Sequence, residues 1–168
     1  MGMRADASPD MSGTADSAAS LTWRVVTFDA LTTHELYALL QLRSEVFVVE
    51  QACVFQDLDG ADAQALHLLG WLPQGRLVAY ARCFAAGVKF AESSIGRVVT
   101  HDSMRGSGAG HVLLTKAIAS LTRQWGPQPI RIGAQRRLEA FYQQHGFRKS
   151  GEPYLEDGIV HIEMLRPV

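Results

Sequence analysis

The stretch SIGRVVTHDSMRGSGAG, residues 94–110, decides the reading of this chain. It opens with Ile95, Val98, Val99 and Thr100, β-branched residues that favour a strand. It closes on Arg105-Gly106-Ser107-Gly108-Ala109-Gly110, with glycine at every second position from 106 to 110. Beyond it, Leu114, Ala117, Ile118, Leu121 and Trp125 recur at helical spacing, and Gly126-Pro127 ends the pattern. The order is therefore strand, glycine turn, long helix. Without a Cβ, the turn adopts conformations closed to other residues, so successive N–H groups can converge on one anion. The helix N-terminus adds its positive end, and Arg105 can supply a charge-assisted hydrogen bond. A phosphate or pyrophosphate suits such a turn, although glycines alone fit an exposed loop equally well. No Gly-Lys-Ser/Thr triplet is present, so it is not a Walker A loop. A dinucleotide fingerprint would need glycine where His111 stands.

Working outward, Trp23–Phe28 reads as a strand, and Thr32 or Thr33 as the cap of a helix with Glu35 in its first turn. Leu36, Leu39, Leu40, Arg43 and Phe47 give that helix a face. Residues 50–64 are mostly polar and read as loop, with or without a short helix. Ala65–Leu72 and Arg76–Phe84, split by Pro73-Gln74-Gly75, read as a β-hairpin. After the glycine turn and its helix, Pro129–Ala134 reads as a buried strand. Leu138, Phe141, Tyr142 and His145 mark a second amphipathic helix closed by Gly146. Two strands, Phe147–Pro153 and Ile159–Arg166, complete the pattern. This is a mixed α/β layered domain without a βαβ repeat.

The chain has 168 residues, 47% hydrophobic and 20% charged, with net charge −1. That length suits one domain, assigned to 21–168, after a polar tail over 1–20 that lacks the apolar surface to order itself. Near-neutral charge speaks against a nucleic-acid partner. No apolar run approaches a membrane span, so no membrane partner is expected. Two cysteines, Cys53 and Cys83, exclude a disulfide framework and a four-cysteine metal site, and a reducing cytoplasm is expected. No metal is expected either, since QDLDGAD at 56–62 lacks the spacing of a calcium loop.

Arg105-x-x-Gly108-x-Gly110, after a strand and opening a helix, resembles the coenzyme A pyrophosphate loop of the GNAT superfamily of N-acyltransferases. Gln135-x-x-Leu138-x-x-Phe141-Tyr142-x-x-x-Gly146-Phe147 is similar to a second motif of that family, with Gln135 and Leu138 where Asn and Ala are usual. YALLQLRSEVFVVEQ, QDLDG, HLLGW and EDGIVHIEM resemble its ElaA-like branch, so that the likeness covers about 21–168. The resemblance implies an α/β (α+β) GNAT fold. Its sheet is mixed and mostly antiparallel, with helices on both faces. The strand pair 94–100 and 129–134 would be parallel and splayed into an acyl-CoA cleft.

The resemblance also implies the chemistry: acetyl transfer from acetyl-CoA to a primary amine of a small molecule or peptide, by direct attack in a ternary complex. Gly106, Ser107, Gly108, Ala109 and Gly110, with Arg105, would cradle the pyrophosphate. Val98 and Val99 would pair their backbone with the pantetheine arm and polarise the thioester carbonyl, and Gln135 would contact the same arm. Tyr142 would protonate the departing sulfur, although its spacing alone equally fits a core aromatic. Glu50 and His67 are the candidate bases. A histidine inside ALHLLGW is more often structural, and Glu50 could instead pair with Arg43. The carboxylates of 57–62 would attract a cationic amine or lie in a solvated turn. His111 would touch phosphate or face water, and His161 would line the cleft or face water. The competing reading is a catalytically silent acyl-CoA-binding module. A homodimer is the expected assembly.

Overall fold

Inside the sheet lies β3, Leu77–Phe84, buried at every position. The computed structural model describes residues 18–168. The order is β1 (Thr22–Thr27), α1 (Thr33–Arg43), β2 (Leu66–Trp71), β3, β4 (Ser93–Thr100), α2 (Ala109–Trp125), β5 (Ile130–Gln135), α3 (Glu139–Gln143), β6 (Arg148–Lys149), β7 (Tyr154–Glu156) and β8 (Ile159–Arg166). The strands form one sheet in the order β1-β2-β3-β4-β5-β8-β6, with β7 also on β8. Every pair is antiparallel except β4–β5.

The faces are covered as the resemblance implies. Leu113, Leu114, Ala117 and Leu121 of α2 pack with Leu68, Ala81, Cys83 and Ile95 on one face. Leu39 and Leu42 of α1 pack with Leu69, Leu77, Tyr80 and Val99 on the other. The α1 cap is Thr32: its hydroxyl accepts from Glu35 N–H at 3.1 Å, and the Glu35 carboxylate accepts from Thr32 N–H at 2.9 Å. This reciprocal arrangement satisfies two otherwise orphaned donors.

Two features make the cleft. First, the β4–β5 register holds only Ser93 to Ile130 and Ser94 to Arg131. Beyond Ser94 the two strands separate and leave a notch. Second, α1 does not stop at Arg43 but continues as a wider π-helical segment, Ser44–Glu50. Its winding shows in Gln51 N–H donating to Val46 O at 3.3 Å and Cys53 N–H to Val48 O at 3.1 Å. Such widened turns recur at functional sites. This one carries Phe47 and Glu50 to the notch.

One expectation needs correction. Phe147–Pro153 is not one strand: β6 is two residues long, and β7 begins only at Tyr154. Pro153 offers no N–H for a ladder, which fits the break before β7. Asp157 (φ +49°) and Gly158 (φ +78°) then form a tight hairpin turn between β7 and β8. The tail expected over 1–20 lies outside the described residues up to 17, whereas Ala18–Ser20 form one 3₁₀ turn.

Candidate active site

The notch opens into a cavity of about 710 Å³. Its floor is β4 from Ser94 to Thr100, and its walls come from the π-helical segment, β5, Tyr142 of α3 and the β7–β8 hairpin.

The β4 floor is irregular. Tyr80 pairs with Val99 and Arg82 with Gly96, so Ala81 alone stands opposite Arg97 and Val98. This is a β-bulge, a device that re-aims backbone groups. Arg97 sits at φ +50°, a conformation that costs a non-glycine residue about 1–2 kcal/mol. Its side chain holds it there: Nε donates to Asp57 Oδ1 at 2.7 Å, Nη2 to Asp57 O at 2.9 Å, and the guanidinium lies over the Phe55 ring. Val98 lies in the bulge, Val99 follows it, and both line the cavity.

The glycine turn follows directly on Arg105, which lines the cavity. Gly106 and Gly108 have φ of +75° and +85°, and a Cβ on either would meet nothing within 4 Å. Among the described residues, the N–H groups of Gly106, Gly108 and Gly110 donate to no acceptor. Gly108 is the N-cap of α2. Ser107 has turned inward, its hydroxyl donating to Met104 O at 2.6 Å and accepting from Ala109 N–H at 3.3 Å. The turn therefore presents free amides, open space and a helix N-terminus together. Arg105 reaches from it to Glu50 at 2.7 Å, and both residues line the cavity. Gly108→Glu would place a strained side chain and a negative charge over this cradle. We expect loss of measurable acetyl-CoA binding in titration calorimetry, with the melting temperature lowered by a few degrees because a side chain at φ +85° is strained even in open space. Unaltered affinity would remove the turn from the site.

Tyr142 is 6% exposed, its ring edge-on to Phe141 and Phe147. Its hydroxyl hydrogen-bonds to nothing among the described residues, and the residue lines the cavity. Burial pushes its pKa up to about 12, so it remains a proton donor. Gln135 is tied on both sides, donating to Gln51 Oε1 at 3.0 Å and accepting from Arg137 Nε at 2.9 Å. His161 lines the cavity, its ring stacked on Tyr154.

His67 is not at this site. It is fully buried between sheet and α1, hydrogen-bonded to Tyr80 Oη at 2.8 Å and Asp62 O at 2.9 Å. A carbonyl only accepts, so Nε2 carries the proton and Nδ1 receives the tyrosine O–H. Burial lowers its pKa. It is a neutral structural histidine, because β2 is buried on both faces.

The acidic loop is also not what its composition suggests. Its carboxylates are taken up by cations rather than left free for an amine, and Asp59 also keeps contact with water. Asp57 and Asp62 bind the fully buried Arg43 at 2.9 and 2.7 Å. Asp59 and Asp62 bind Arg82, and Asp59 also binds Lys89 at 2.9 Å. Arg82 holds Asp59 well below the usual carboxylate range. Burial opposes ionisation of Asp62, but its bond to Arg43 still leaves that carboxyl lowered. Sequence reading missed Arg43, Arg82 and Arg97 as the complement of this loop. The signal available was a surplus of carboxylates in 57–62 and an arginine inside each of three apolar segments. His111 is exposed, the water-facing alternative, with its Nδ1 2.9 Å from His145 Nε2. Cys83 is buried in the core with its pKa pushed up to about 12, and Cys53 gives its thiol to Asp157 O.

A mostly antiparallel sheet with one splayed parallel pair, a bulged β4 and a glycine turn capping α2 define a family. The model of the acetyltransferase (GNAT) domain matches residues 36–166, and the chain belongs to that family. It is 43% identical to the protein ElaA of Escherichia coli over 150 residues, 88% of this chain and 97% of that one. It is 44% identical to a UPF0039 protein of Mycobacterium tuberculosis over 82% of this chain and 87% of the other. The crystal structure of Escherichia coli ElaA superposes with a TM-score of 0.81 at 42% identity, covering 87% of this chain and 99% of that one. An acyl-CoA N-acyltransferase from Pseudomonas aeruginosa superposes with 0.82 at 43% identity, covering 87% and 99%. Among the described residues no helix is long and apolar enough to cross a membrane.

Proposed function

We propose that this protein is an N-acetyltransferase that moves the acetyl group of acetyl-CoA to a primary amine by direct attack in a ternary complex. One observation carries the reading: a single cavity runs from Arg105, the residue before the glycine turn, past the β4 bulge to Tyr142, whose hydroxyl is unpartnered among the described residues. The turn and Arg105 hold the pyrophosphate. The backbone at Val98 and Val99 fixes the pantetheine arm and polarises the thioester carbonyl. Both substrates are then held in reacting geometry, which removes much of the barrier.

The chemistry balances as follows. A neutral amine nitrogen forms a bond to the thioester carbon, and the carbonyl oxygen takes up the negative charge. The carbon–sulfur bond breaks, and sulfur leaves with its electron pair. Tyr142 gives sulfur a proton, and the nitrogen releases one. Glu50, one of the carboxylates lining the cleft, receives it directly or through water. Tyr142 recovers its proton from solvent.

A ligand that binds only the folded state raises the melting temperature. Acetyl-CoA and CoA are expected to raise it while NAD and ATP do not, and thiol release with an amine panel then reads turnover. A rise with NAD or ATP alone would overturn the cofactor assignment. Acetyl-CoA binding with no thiol release across the panel would count for the silent module.

A further inference from the structure

Among the described residues, two buried polar side-chain atoms lack a partner: Arg82 Nε and Ser94 Oγ. Both residues are 2% exposed and both line the cavity. They lie close together. Arg82 is paired with Gly96, and Ser94 is two residues before Gly96 on the same strand, so all three share one face of the sheet. Gly96 carries no side chain over this spot, and a Cβ there would lie 3.9 Å from Arg82 Nε. Buried donors are almost always satisfied, so an adjacent unsatisfied pair on a cavity wall marks a place for a polar group.

The surrounding charge says which sign. Arg43, Arg82, Arg97 and Lys89 stand against only Asp57, Asp59 and Asp62, a surplus of one positive charge. Lys89, 34% exposed, brings the least buried of these cations to the cavity wall. The facing hairpin carries Glu156 and Asp157 at the same cavity. One wall thus favours an anion and the other a cation.

We infer that the amine acceptor also carries a carboxylate, received by Arg82 Nε–H, the Ser94 hydroxyl and Lys89. This rests on the transferase reading above. Two residues span at most about 7 Å, and less across the bulge at Arg97, so Gly96 and Val98 are distinct positions along β4. The reacting amine and the carboxylate are therefore several bonds apart, as in an ω-amino acid or a lysine side chain, and not on one carbon.

The test compares acceptors that differ only by the carboxylate: 6-aminohexanoate with pentylamine, 4-aminobutyrate with propylamine, and lysine with cadaverine. Thiol release from acetyl-CoA gives kcat/KM for each. The carboxylate member is expected to lead by about tenfold or more in at least one pair, the scale of one charge-assisted hydrogen bond. Ser94→Ala and Lys89→Gln are each expected to shrink that ratio. Arg82→Gln removes a buried cation and risks the fold, so the smaller substitutions carry the argument. Amines that equal or beat their partners in every pair overturn the inference. So does an unchanged ratio in Ser94→Ala, which would leave the two atoms to an ordered water. A protein that binds acetyl-CoA yet releases thiol with none of the six acceptors also overturns it. Failure to bind acetyl-CoA is a different result, and it overturns the transferase reading itself.

Discussion

Tyr142→Phe is expected to lower kcat on the order of 10²-fold, the lower end of what a positioned general acid contributes. Acetyl-CoA affinity and melting temperature are expected to hold. The reason is what the hydroxyl does and does not touch. The ring is wedged between Phe141 and Phe147, and phenylalanine keeps both contacts. The hydroxyl bonds to nothing among the described residues, so its removal strands no donor or acceptor. A hydroxyl that served only packing would be an odd choice in so apolar a place. Its raised pKa keeps the proton on oxygen, so the hydroxyl meets the departing sulfur as a hydrogen-bond donor. Steady-state thiol release gives kcat, and calorimetry gives the affinity. Full activity in the variant would reduce Tyr142 to a core aromatic.

What could be read from sequence was whatever is encoded locally. The β2–β3 hairpin follows from two apolar runs around Pro73-Gln74-Gly75, and the structure pairs them antiparallel from Leu66–Cys83 outward. The α2 helix follows from its periodic face and from glycine at both ends. The short β4–β5 pairing agrees with the splayed pair that the family likeness implied. The features that escaped are tertiary. Arg97 is not a glycine, so nothing local signals its positive φ, which depends on Asp57, 40 residues away. Arg43 reads as one more position on the face of α1, and its meaning lies in Asp57 and Asp62. His67 sits in a strand buried on both sides, where alternation cannot say which face leads to a cleft. Phe147–Pro153 reads as one strand, but backbone pairing with β8 limits it to Arg148–Lys149.

Asp57→Ala is expected to destabilise the domain by about 3–5 kcal/mol, the cost of leaving a buried ion pair without one partner. At about 2–4 °C per kcal/mol for a chain of this size, the melting temperature falls by roughly 6–20 °C. Asp57 accepts from Arg43 Nε at 2.9 Å and Arg97 Nε at 2.7 Å. Arg43 is fully buried and would retain Asp62 and the Asp57 carbonyl. Arg97 would lose the carboxylate that fixes the bulge, so turnover should fall even at temperatures where the variant stays folded. Asp57→Asn keeps an acceptor oxygen and should lie between wild type and alanine. Lys149→Ala breaks only the exposed pair with Glu152 at 3.8 Å and should change little. Acid treatment of the wild type reaches the same network from another side. Asp59 and Asp62 have folded pKa values below their ordinary one. Their stabilisation is therefore complete above about pH 4, the unfolded carboxylate value, and is lost as pH falls through the lower folded values. Scanning calorimetry across that range should show the wild-type melting temperature dropping only in stronger acid, while Asp57→Ala is already low at neutral pH. A shift no larger than that of Lys149→Ala would mean that solvent replaces Asp57 around Arg43 and that the network does not hold the cleft.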